Sequence, residues 1–547
     1  MPSGMMEQIY RGELDPGIYN AFAQKHDFSR ARDLVQKYRE LLQKFPVASI
    51  EESGRIPAEM LAGMKKSGLF GISVPGEHGG LGFSLFEYLK VIEEVSRIDM
   101  SPALVFVAHL SIGIRGIELF GTPEQKSRYL PRAASGEMIF SYALTEPLTG
   151  SDAKSITTQA SISPDGSHYI LNGTKTYITN ANYAGGLTVF ARLDQPGRLI
   201  AFIVETAWEG VKIGADMPKM GLKASSTASI QFKNVKVPIE NVIGAPGDGF
   251  RLAMMVLNYG RLGLGAASIG AMEQGLADMW KRAGSRVQFG KPIRHYQLVQ
   301  EKIARTRVNA DAMSAMNELA ASILSDDPLR ETAIETSHCK LYGTTRAWKA
   351  VYDALQVAGG SGYLTTQPYE KRMRDFRVTT IFEGTTEIHS MYPALLGLRR
   401  LGKELRALKG MGRIAFILKE FLSSYKPPGW KADHNEPLVR QAFLLAGANS
   451  QTIRRMLLLS LLVYGEKAAE REYLLRRITS ISLYTFAVLA LASKSAKQDN
   501  ISGIEKESLA CLIEEAREVR RRCSTLADTR LEILESRLIG QMEGQSP

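Results

Sequence analysis

The feature that most constrains the fold is a β-rich stretch that lies between two helical ones. From about 141 to 245, β-branched and aromatic residues form short runs (169–172, 188–191, 199–204 and 230–237) separated by Gly, Pro and Asn. Pro164-Asp165-Gly166 marks a turn between such runs. On either side, from about 28 to 140 and from 247 onward, apolar residues recur at helical spacing. Because strands and helices do not alternate, the sequence predicts an α+β fold with a β domain inserted between helical halves.

The length of the chain predicts several structural units. At 547 residues it exceeds what one hydrophobic core organises. The pattern of helical and β-rich segments divides the chain into an N-terminal helical domain (1–140), a central β-barrel or sandwich domain (141–246), a helical bundle (247–400) and a further helical unit (401–547). A Pro-Pro-Gly tripeptide at 427–429 predicts a linker. Asp327, followed by Pro328, predicts the start of a helix that ends at Gly359-Gly360.

Composition excludes several kinds of protein. The three cysteines, Cys339, Cys511 and Cys523, form no CxxC pair, which argues against a disulfide framework or a cysteine metal site. The net charge is +11, but the basic residues are spread among acids, which disfavours a nucleic-acid partner. No uninterrupted apolar run reaches the roughly 20 residues of a membrane span. The N-terminus has neither a secretory nor a transit pattern, so we expect a cytoplasmic protein in a bacterium, or one of the mitochondrial matrix or inner-membrane surface in a eukaryote.

A catalytic carboxylate is predicted in the segment 374–388, Arg-Asp-Phe-Arg-Val-Thr-Thr-Ile-Phe-Glu-Gly-Thr-Thr-Glu-Ile. Glu383 follows the apolar pair Ile381 and Phe382 and precedes Gly384, whose main chain a ligand can approach closely. A glutamate in such a place loses hydration, which raises its pKa and suits it to act as a general base. The alternatives are a surface glutamate in a capping turn, and Glu387 as the base.

Four other segments carry polar groups that can surround a ligand, and each also has an ordinary structural reading. Residues 142–152 combine small hydroxyls, glycine and main-chain donors, as a turn does. Residues 175–180 form an aromatic and hydroxyl-rich strand. Residues 286–297 contain Arg286, which can hold a pyrophosphate or be solvated at a helix end. Residues 356–363 expose main chain at Gly359-Gly360, as a helix C-cap also does.

In order and spacing these five segments resemble the acyl-CoA dehydrogenase family over residues 30–400. The chain is most similar to the very-long-chain branch, which also carries a helical extension after the bundle. The resemblance implies an α–β–α architecture with a C-terminal four-helix bundle and a bound FAD. It also implies oxidation of an acyl-CoA to its trans-2-enoyl-CoA, with electron-transfer flavoprotein as the acceptor. A homodimer is expected.

The resemblance also implies roles for individual residues. Glu383 abstracts the α-proton, which fits the lack of a carboxylate at Gly260, the position before Arg261 where other branches place the base. Thr145 and Thr179 bind the flavin ring, and Arg286 reaches the far end of FAD across a dimer interface. The cofactor-binding residues that it implies are Tyr142, Leu144, Thr145, Gly150, Ser151, Tyr177, Ile178, Thr179, Arg286, Phe289, Gln297, Gln356, Gly359, Gly360, Thr385 and Glu387. Its substrate-binding residues are Ser151, Asn258, Arg261 and Gly384.

Two features bear on the substrate and on a membrane. Gly113 and Gly116, three residues apart, predict a groove on one helix face that takes a long acyl chain, although close helix packing explains them too. Over 401–431, apolar residues recur at helical spacing among seven basic and two acidic residues, a net charge of +5. Such a stripe predicts peripheral membrane contact, as in the resembled branch, or a core-facing helix with a solvated basic face.

Two other functions remain open for this sequence. An acyl-CoA oxidase shares the chemistry and differs in using oxygen as the electron acceptor. A non-catalytic scaffold on the same fold is the alternative from a different class.

Overall fold

The computed structural model describes residues 4–14, 22, 26–194, 198–423, 434–498 and 501–543. The predicted 427–429 linker and the end of the 401–431 stripe therefore lie outside the described residues. A β domain is inserted between helices, which confirms the α+β prediction. No cis peptide bond occurs in the described part of the chain.

The N-terminal helices surround a shared apolar core. They are α1 (Met5–Tyr10), α2 (Ser29–Lys44), α3 (Val47–Ser53), α4 (Ala58–Lys66), α5 (Leu85–Ile98), α6 (Met100–Ala108), α7 (Arg115–Phe120) and α8 (Pro123–Ala134). Ser84 and Thr122 begin α5 and α8 with capping boxes, which satisfy main-chain N–H groups that a helix start leaves free. A π-helical turn, His109–Gly113, separates α6 from α7. Helix α1 packs against two later helices, Ala333–Ala358 and Pro437–Tyr464.

The central domain is one mixed eight-stranded sheet. Its strands are β1 (Ile139–Ala143), β2 (Gln159–Ile162), β3 (His168–Thr179), β4 (Ala184–Leu193), β5 (Leu199–Glu205), β6 (Val211–Ile213), β7 (Thr227–Pro238) and β8 (Val242–Gly247). The order is β6-β7-β3-β2-β4-β5-β8, and β1 pairs in parallel with β4. The four predicted β-rich runs lie within β3, β4, β5 and β7. The register of β3 against β7 shifts between Lys175 and Ile178, which makes a bulge at that point.

The helical half that follows is built on one long central helix. Its elements are α9 (Gly249–Ser285), the hairpin β9 (Val287–Gln288) and β10 (Lys291–Pro292), α10 (Gln297–Asp326), α11 (Ala333–Ala358), α12 (Tyr369–Arg377) and α13 (Thr386–Ala407). Helix α9 packs against α5, α10 and α11. Its glycines let neighbours come close: a Cβ at Gly265 would collide with Asn317, and one at Gly270 with the carbonyl of Glu93.

The predicted start of α11 is wrong by several residues. Asp327 caps a turn rather than the helix, since its Oδ1 accepts from the N–H of Leu329 at 3.0 Å, and α11 begins at Ala333. The predicted glycine end is confirmed, because α11 stops at Ala358 and Gly359 adopts φ +68°.

The extension adds five helices to the bundle. They are α14 (Gly410–Ser423), α15 (Pro437–Tyr464), α16 (Glu472–Ala496), α17 (Gly503–Cys523) and α18 (Arg530–Glu543). Helix α16 packs against α10 and α13, and α17 packs against α10. The apolar residues of the extension therefore continue the core of the bundle.

Three helical stretches are long and apolar enough to cross a membrane by length and composition alone: 100–120, 249–285 and 472–496. The sequence prediction counted uninterrupted apolar runs and passed over them. In each stretch most of an 18-residue apolar window is buried inside the protein, at 78%, 94% and 83%. Their apolar character is accounted for by packing in the core.

A buried ion pair joins the loop after β1 to strand β3. Lys175 Nζ lies 2.8 Å from Glu146 Oε1 and 3.0 Å from the carbonyl of Leu144, and both charged side chains are almost fully enclosed. Glu146 also accepts from the N–H of Thr158 at 2.9 Å. Burial pushes the pKa of Glu146 upward, but Lys175 and these donors outweigh it and lower the pKa to about 2.

We predict that Lys175→Met destabilises the protein by about 3–5 kcal/mol, because it leaves the Glu146 charge buried and unpaired. Chemical denaturation near neutral pH measures the loss. Lys212→Met is the matched control: Lys212 is an exposed lysine on β6, where we expect a change within about 0.5 kcal/mol. Equal effects of the two substitutions would contradict the structural role of the pair.

Candidate active site

A cavity of about 930 Å³ lies where the helices meet the β domain. Its walls come from α6, the loop after β1, the end of β3, α9 and the segment that leads into α13. The predicted site residues on these walls are Tyr142, Leu144, Thr145, Gly150, Ser151, Tyr177, Ile178, Thr179, Arg261, Glu383, Gly384 and Thr385.

The backbone at Glu383 is held in an unusual conformation. Glu383 and Gly384 have φ values of +55° and +98°, in the left-handed region that side chains other than glycine rarely adopt. His389 Nε2 lies 3.0 Å from the Glu383 carbonyl oxygen, and Lys340 Nζ donates to the Gly384 carbonyl at 2.6 Å. Thr385 then caps α13, accepting from the N–H of Ile388. Both carbonyls of the strained turn are therefore fixed by side chains.

The hydrogen bonds of His389 define its tautomer. A carbonyl only accepts, so Nε2 carries the proton that binds the Glu383 oxygen. Nδ1 therefore accepts from the Ser337 hydroxyl, 2.7 Å away. Burial, reinforced by Arg261 and Lys340, holds the pKa of His389 well below its ordinary value. His389 is thus a neutral support for the turn.

The Glu383 carboxylate lies against the glycine surface of α9. A Cβ at Gly260 would come within 2.6 Å of Glu383 Oε2, so no larger residue fits at position 260 with the carboxylate in this place. Oε2 is buried and has no hydrogen-bond partner among the described residues. Burial raises the pKa of Glu383 to about 7, although Arg261 and Lys340 act in the opposite direction. This carboxylate can therefore take up and release a proton near neutral pH.

Two buried cations stand beside the carboxylate. Burial lowers the pKa of Lys340 to about 8, with Glu383 acting against that change. Burial also lowers the pKa of Arg261. Asn258 Oδ1 accepts from Arg261 Nη1 at 3.3 Å and from Thr336 Oγ1 at 3.0 Å. Asn258 therefore lies behind Arg261 and orients it, and it does not line the cavity.

The opposite wall suits a planar polar ring. The bulge in β3 places Tyr177 at φ +56° with 67% of its surface exposed, and Tyr177 lines the cavity. Bulges of this kind often turn a side chain toward a site. Within the described residues, the hydroxyls of Thr145 and Thr179 on this wall have no hydrogen-bond partner. A Cβ at Gly150 would meet no atom within 4 Å. These groups fit the isoalloxazine ring of a flavin.

Six predicted residues lie apart from the cavity, at the far end of the bundle: Arg286, Phe289, Gln297, Gln356, Gly359 and Gly360. There α9 ends, α10 begins and α11 ends, and Arg282 Nη2 joins two of these ends by donating to the Ala358 carbonyl at 3.3 Å. All six are exposed, and Phe289 is 95% exposed at φ +48°. The structure brings them to one surface, but not to Glu383.

The acyl groove predicted at Gly113 and Gly116 is wrong. Gly113 ends the π-helical turn and Gly116 lies in α7, so the two do not share a face of one regular helix. A Cβ at Gly113 would meet the Phe140 backbone at 2.7 Å, and one at Gly116 would contact Leu252 and Thr188. Both glycines permit close packing away from the cavity. Glu387, predicted near the flavin, is exposed in the first turn of α13 and does not line the cavity.

Sequence reasoning missed the groups that support Glu383. Lys340 lies on α11 between Cys339 and Leu341, and these two apolar neighbours were the available signal. His389 follows the Glu383 motif directly and was visible as the one imidazole there. Gly260 was noted only for its lack of a carboxylate, and its contact with Glu383 has no local signal.

Family comparisons agree with this arrangement. The N-terminal, middle and C-terminal domain models of acyl-CoA dehydrogenases match residues 29–137, 141–235 and 247–394. The very long-chain specific acyl-CoA dehydrogenase of Bos taurus is 40% identical over 362 residues, which cover 65% of this chain and 55% of that protein. The chain thus spans about half the length of these mammalian relatives. An acyl-CoA dehydrogenase of Bacillus subtilis is 39% identical over 63% of this chain and 91% of its own length.

A solved structure extends the likeness to the C-terminal helices. The acyl-CoA dehydrogenase of Bacillus anthracis complexed with FAD superposes with a TM-score of 0.81 at 25% identity. The match covers 98% of this chain and 94% of that one. The three domain models, the bacterial relative and the shared architecture establish that the chain belongs to the acyl-CoA dehydrogenase family.

Proposed function

We propose that the protein is an FAD-dependent acyl-CoA dehydrogenase that converts an acyl-CoA thioester to the trans-2-enoyl-CoA in fatty acid β-oxidation. The observation that carries the proposal is Glu383, a carboxylate with a pKa raised to about 7 in an apolar cavity. In the deprotonated form, Glu383 Oε2 has no partner among the described residues and is placed to accept the α-proton of a bound thioester.

The chain's own groups supply the rest of the site. Arg261 and Lys340 lie close enough to Glu383 to oppose the effect of burial on its pKa, and so keep part of the carboxylate ionised. His389 and Lys340 bind both carbonyls of the turn and so fix its backbone, whose main-chain N–H groups we propose as donors to the thioester carbonyl. FAD, when bound, takes the hydride that leaves the β-carbon. Thr145, Tyr177 and Thr179 would hold its ring.

We also propose a homodimer in which the exposed end of the bundle meets a second copy. Phe289, Leu298 and Tyr363 are 95%, 76% and 81% exposed there, an unusual set of large apolar side chains for a solvated surface. Arg286 lies on the same surface and would reach the diphosphate part of the partner's FAD. Electron-transfer flavoprotein is the acceptor that we propose for the two electrons of each turnover.

The substrate that we propose is a long-chain acyl-CoA. Part of the cavity wall is made of the apolar side chains Leu104, Val107, Ala108, Leu264 and Phe382. An apolar wall of this extent stabilises each buried methylene by about 0.8 kcal/mol.

We further propose that α14 contacts an anionic membrane. Met411, Ile414, Leu418 and Leu422 are 87%, 60%, 55% and 63% exposed and recur along one face of the helix. Exposed Arg413 and Lys419 lie on the same short helix. An apolar face flanked by basic residues is typical of a helix that lies in a membrane interface.

Glu383→Gln tests the catalytic assignment. We expect the purified variant to keep its flavin but to lose about 10²–10⁴-fold in kcat, because an amide cannot accept the proton. In the unaltered enzyme, kcat/KM for a long-chain acyl-CoA should rise as the pH passes about 7, since the base works deprotonated above its pKa. Dye-coupled turnover assays measure the loss in kcat and the pH profile. The assays cover roughly pH 5.5 to pH 9, a range that brackets the raised pKa.

Glu387→Gln is the matched control, since it removes the neighbouring exposed carboxylate. It should leave turnover and the pH profile close to those of the unaltered enzyme. Comparable losses in the two variants, or substantial turnover in Glu383→Gln, would exclude Glu383 as the base.

Ala108→Leu tests the chain-length proposal. The larger side chain fills part of the apolar end of the cavity, so we expect the preferred acyl chain to shorten. Anaerobic titration with acyl-CoAs of increasing length, followed by flavin bleaching, measures the preference. Gly116→Ala, which faces away from the cavity, should not change it. An unchanged preference in Ala108→Leu, or equal shifts in both variants, would contradict the proposed position of the chain.

Leu418→Glu tests the role of α14. A charge in the apolar face should abolish binding to vesicles that contain anionic lipid, as measured by flotation. Leu444→Glu introduces the same charge at an exposed leucine of α15 and should keep the binding. No binding by the unaltered protein at low salt would refute membrane contact through this helix.

A further inference from the structure

A second cavity lies in the extension, between α15 and the C-terminal end of α17. Its volume is about 710 Å³, and it shares no residue with the cavity at Glu383. Four arginines line it: Arg455 from α15, and Arg517, Arg520 and Arg521 from α17. Among the described residues, no acidic side chain lines this arginine groove.

The arginines of α17 share one face of that helix. Positions 517, 520, 521 and 524 follow the i, i+3, i+4 and i+7 spacing that places side chains side by side. Arg517 pairs with Glu514, and Arg521 pairs with Glu518 at 2.6 Å, but neither glutamate lines the groove. Arg520 makes no salt bridge within the described residues. The groove therefore brings four guanidinium groups together without an acidic side chain on its own lining.

Helix ends provide an ordinary reason for some of this charge. Basic residues in the last turn interact favourably with the helix dipole, and Arg520, Arg521 and Arg522 occupy that turn of α17. That reason does not apply to Arg455, which lies well inside α15 and faces the same groove. Arginines from two different helices thus line the same groove.

An unpaired amide strengthens the case for a ligand. Gln451, one turn before Arg455, also lines the groove, and its Nε2 is buried without a hydrogen-bond partner among the described residues. A buried donor of this kind costs free energy unless an acceptor reaches it. Four guanidinium groups offer donors only, and the unpaired atom of Gln451 is also a donor, so the matching ligand is rich in acceptors and negatively charged.

We infer that the arginine groove binds a phosphate-bearing ligand through a terminal phosphate or diphosphate group. One guanidinium group can donate two parallel hydrogen bonds to a phosphate. Several guanidinium groups together favour a multiply charged phosphate group over a single carboxylate. Met456, Leu459 and Leu526 add apolar surface beside the arginines, which accommodates an organic part attached to the phosphate. That chemistry occurs in soluble phosphorylated compounds and in the headgroups of anionic lipids.

Binding to the full-length, FAD-loaded protein tests the inference and separates the two sources. Calorimetric titration with pyrophosphate and with adenosine 3′,5′-bisphosphate probes the soluble source. Flotation with phosphatidylcholine vesicles, with and without phosphatidic acid, probes the headgroup. The variant Arg455→Gln/Arg520→Gln should weaken binding by about tenfold or more, since each arginine contributes charged hydrogen bonds. Arg520→Lys should fall between, because it keeps the charge and loses the paired geometry.

Arg522→Gln is the matched control. It removes the same charge from the same turn, but Arg522 is directed to Glu518 at 3.4 Å and does not line the groove. Its binding should be unchanged, and a vesicle assay in the Leu418→Glu background separates the groove from α14. Groove-dependent binding of either probe supports the inference and identifies the source. No binding of any probe to the unaltered protein, or equal weakening by Arg522→Gln, would overturn it.

Discussion

Keeping one carboxylate in an apolar cavity is the constraint on which the site depends. Burial alone would keep Glu383 protonated at neutral pH, and free exposure to water would leave it a weak base. The structure sets an intermediate condition by placing Arg261 and Lys340 near the carboxylate and by leaving its Oε2 without a partner. Burial acts on the cations as well, since it lowers the pKa of both Arg261 and Lys340.

The same neighbours also fix the geometry of the base. Lys340 acts twice, through its charge on the carboxylate and through its hydrogen bond to the Gly384 carbonyl. His389 also binds a carbonyl of the turn, but it adds no charge beside the carboxylate because it is neutral. Position and proton affinity are therefore set by overlapping groups. A substitution in this support changes both at once, which makes the supporting residues as informative as the base itself.

How much could be predicted from the sequence depends on how local each signal is. The β domain and the Glu383 turn are contiguous patterns of side-chain type, so composition and a short motif reveal them. The contact between Gly260 and Glu383, and the packing of α1 on α11 and α15, join residues far apart in the chain and leave no local trace. The acyl groove predicted at Gly113 and Gly116 was wrong for a related reason. Their spacing assumed a regular helix, and a π-helical turn breaks that regularity. The start of α11 was misplaced because an Asp-Pro pair caps a turn as readily as a helix.

The glycines of α9 have a consequence for how the protein responds to heat. Helix α9 is continuous. It carries Gly260 beside the Glu383 carboxylate, Gly265 at its contact with α10 and Gly270 at its contact with α5. Its clearances at the base and in the bundle are therefore set by the same backbone. Loosening of the bundle would move α9 and release the Glu383 carboxylate from its support before the domains separate. Thermal inactivation should then precede unfolding, and the temperature difference between the two events would report how tightly α5 and α10 pack against α9.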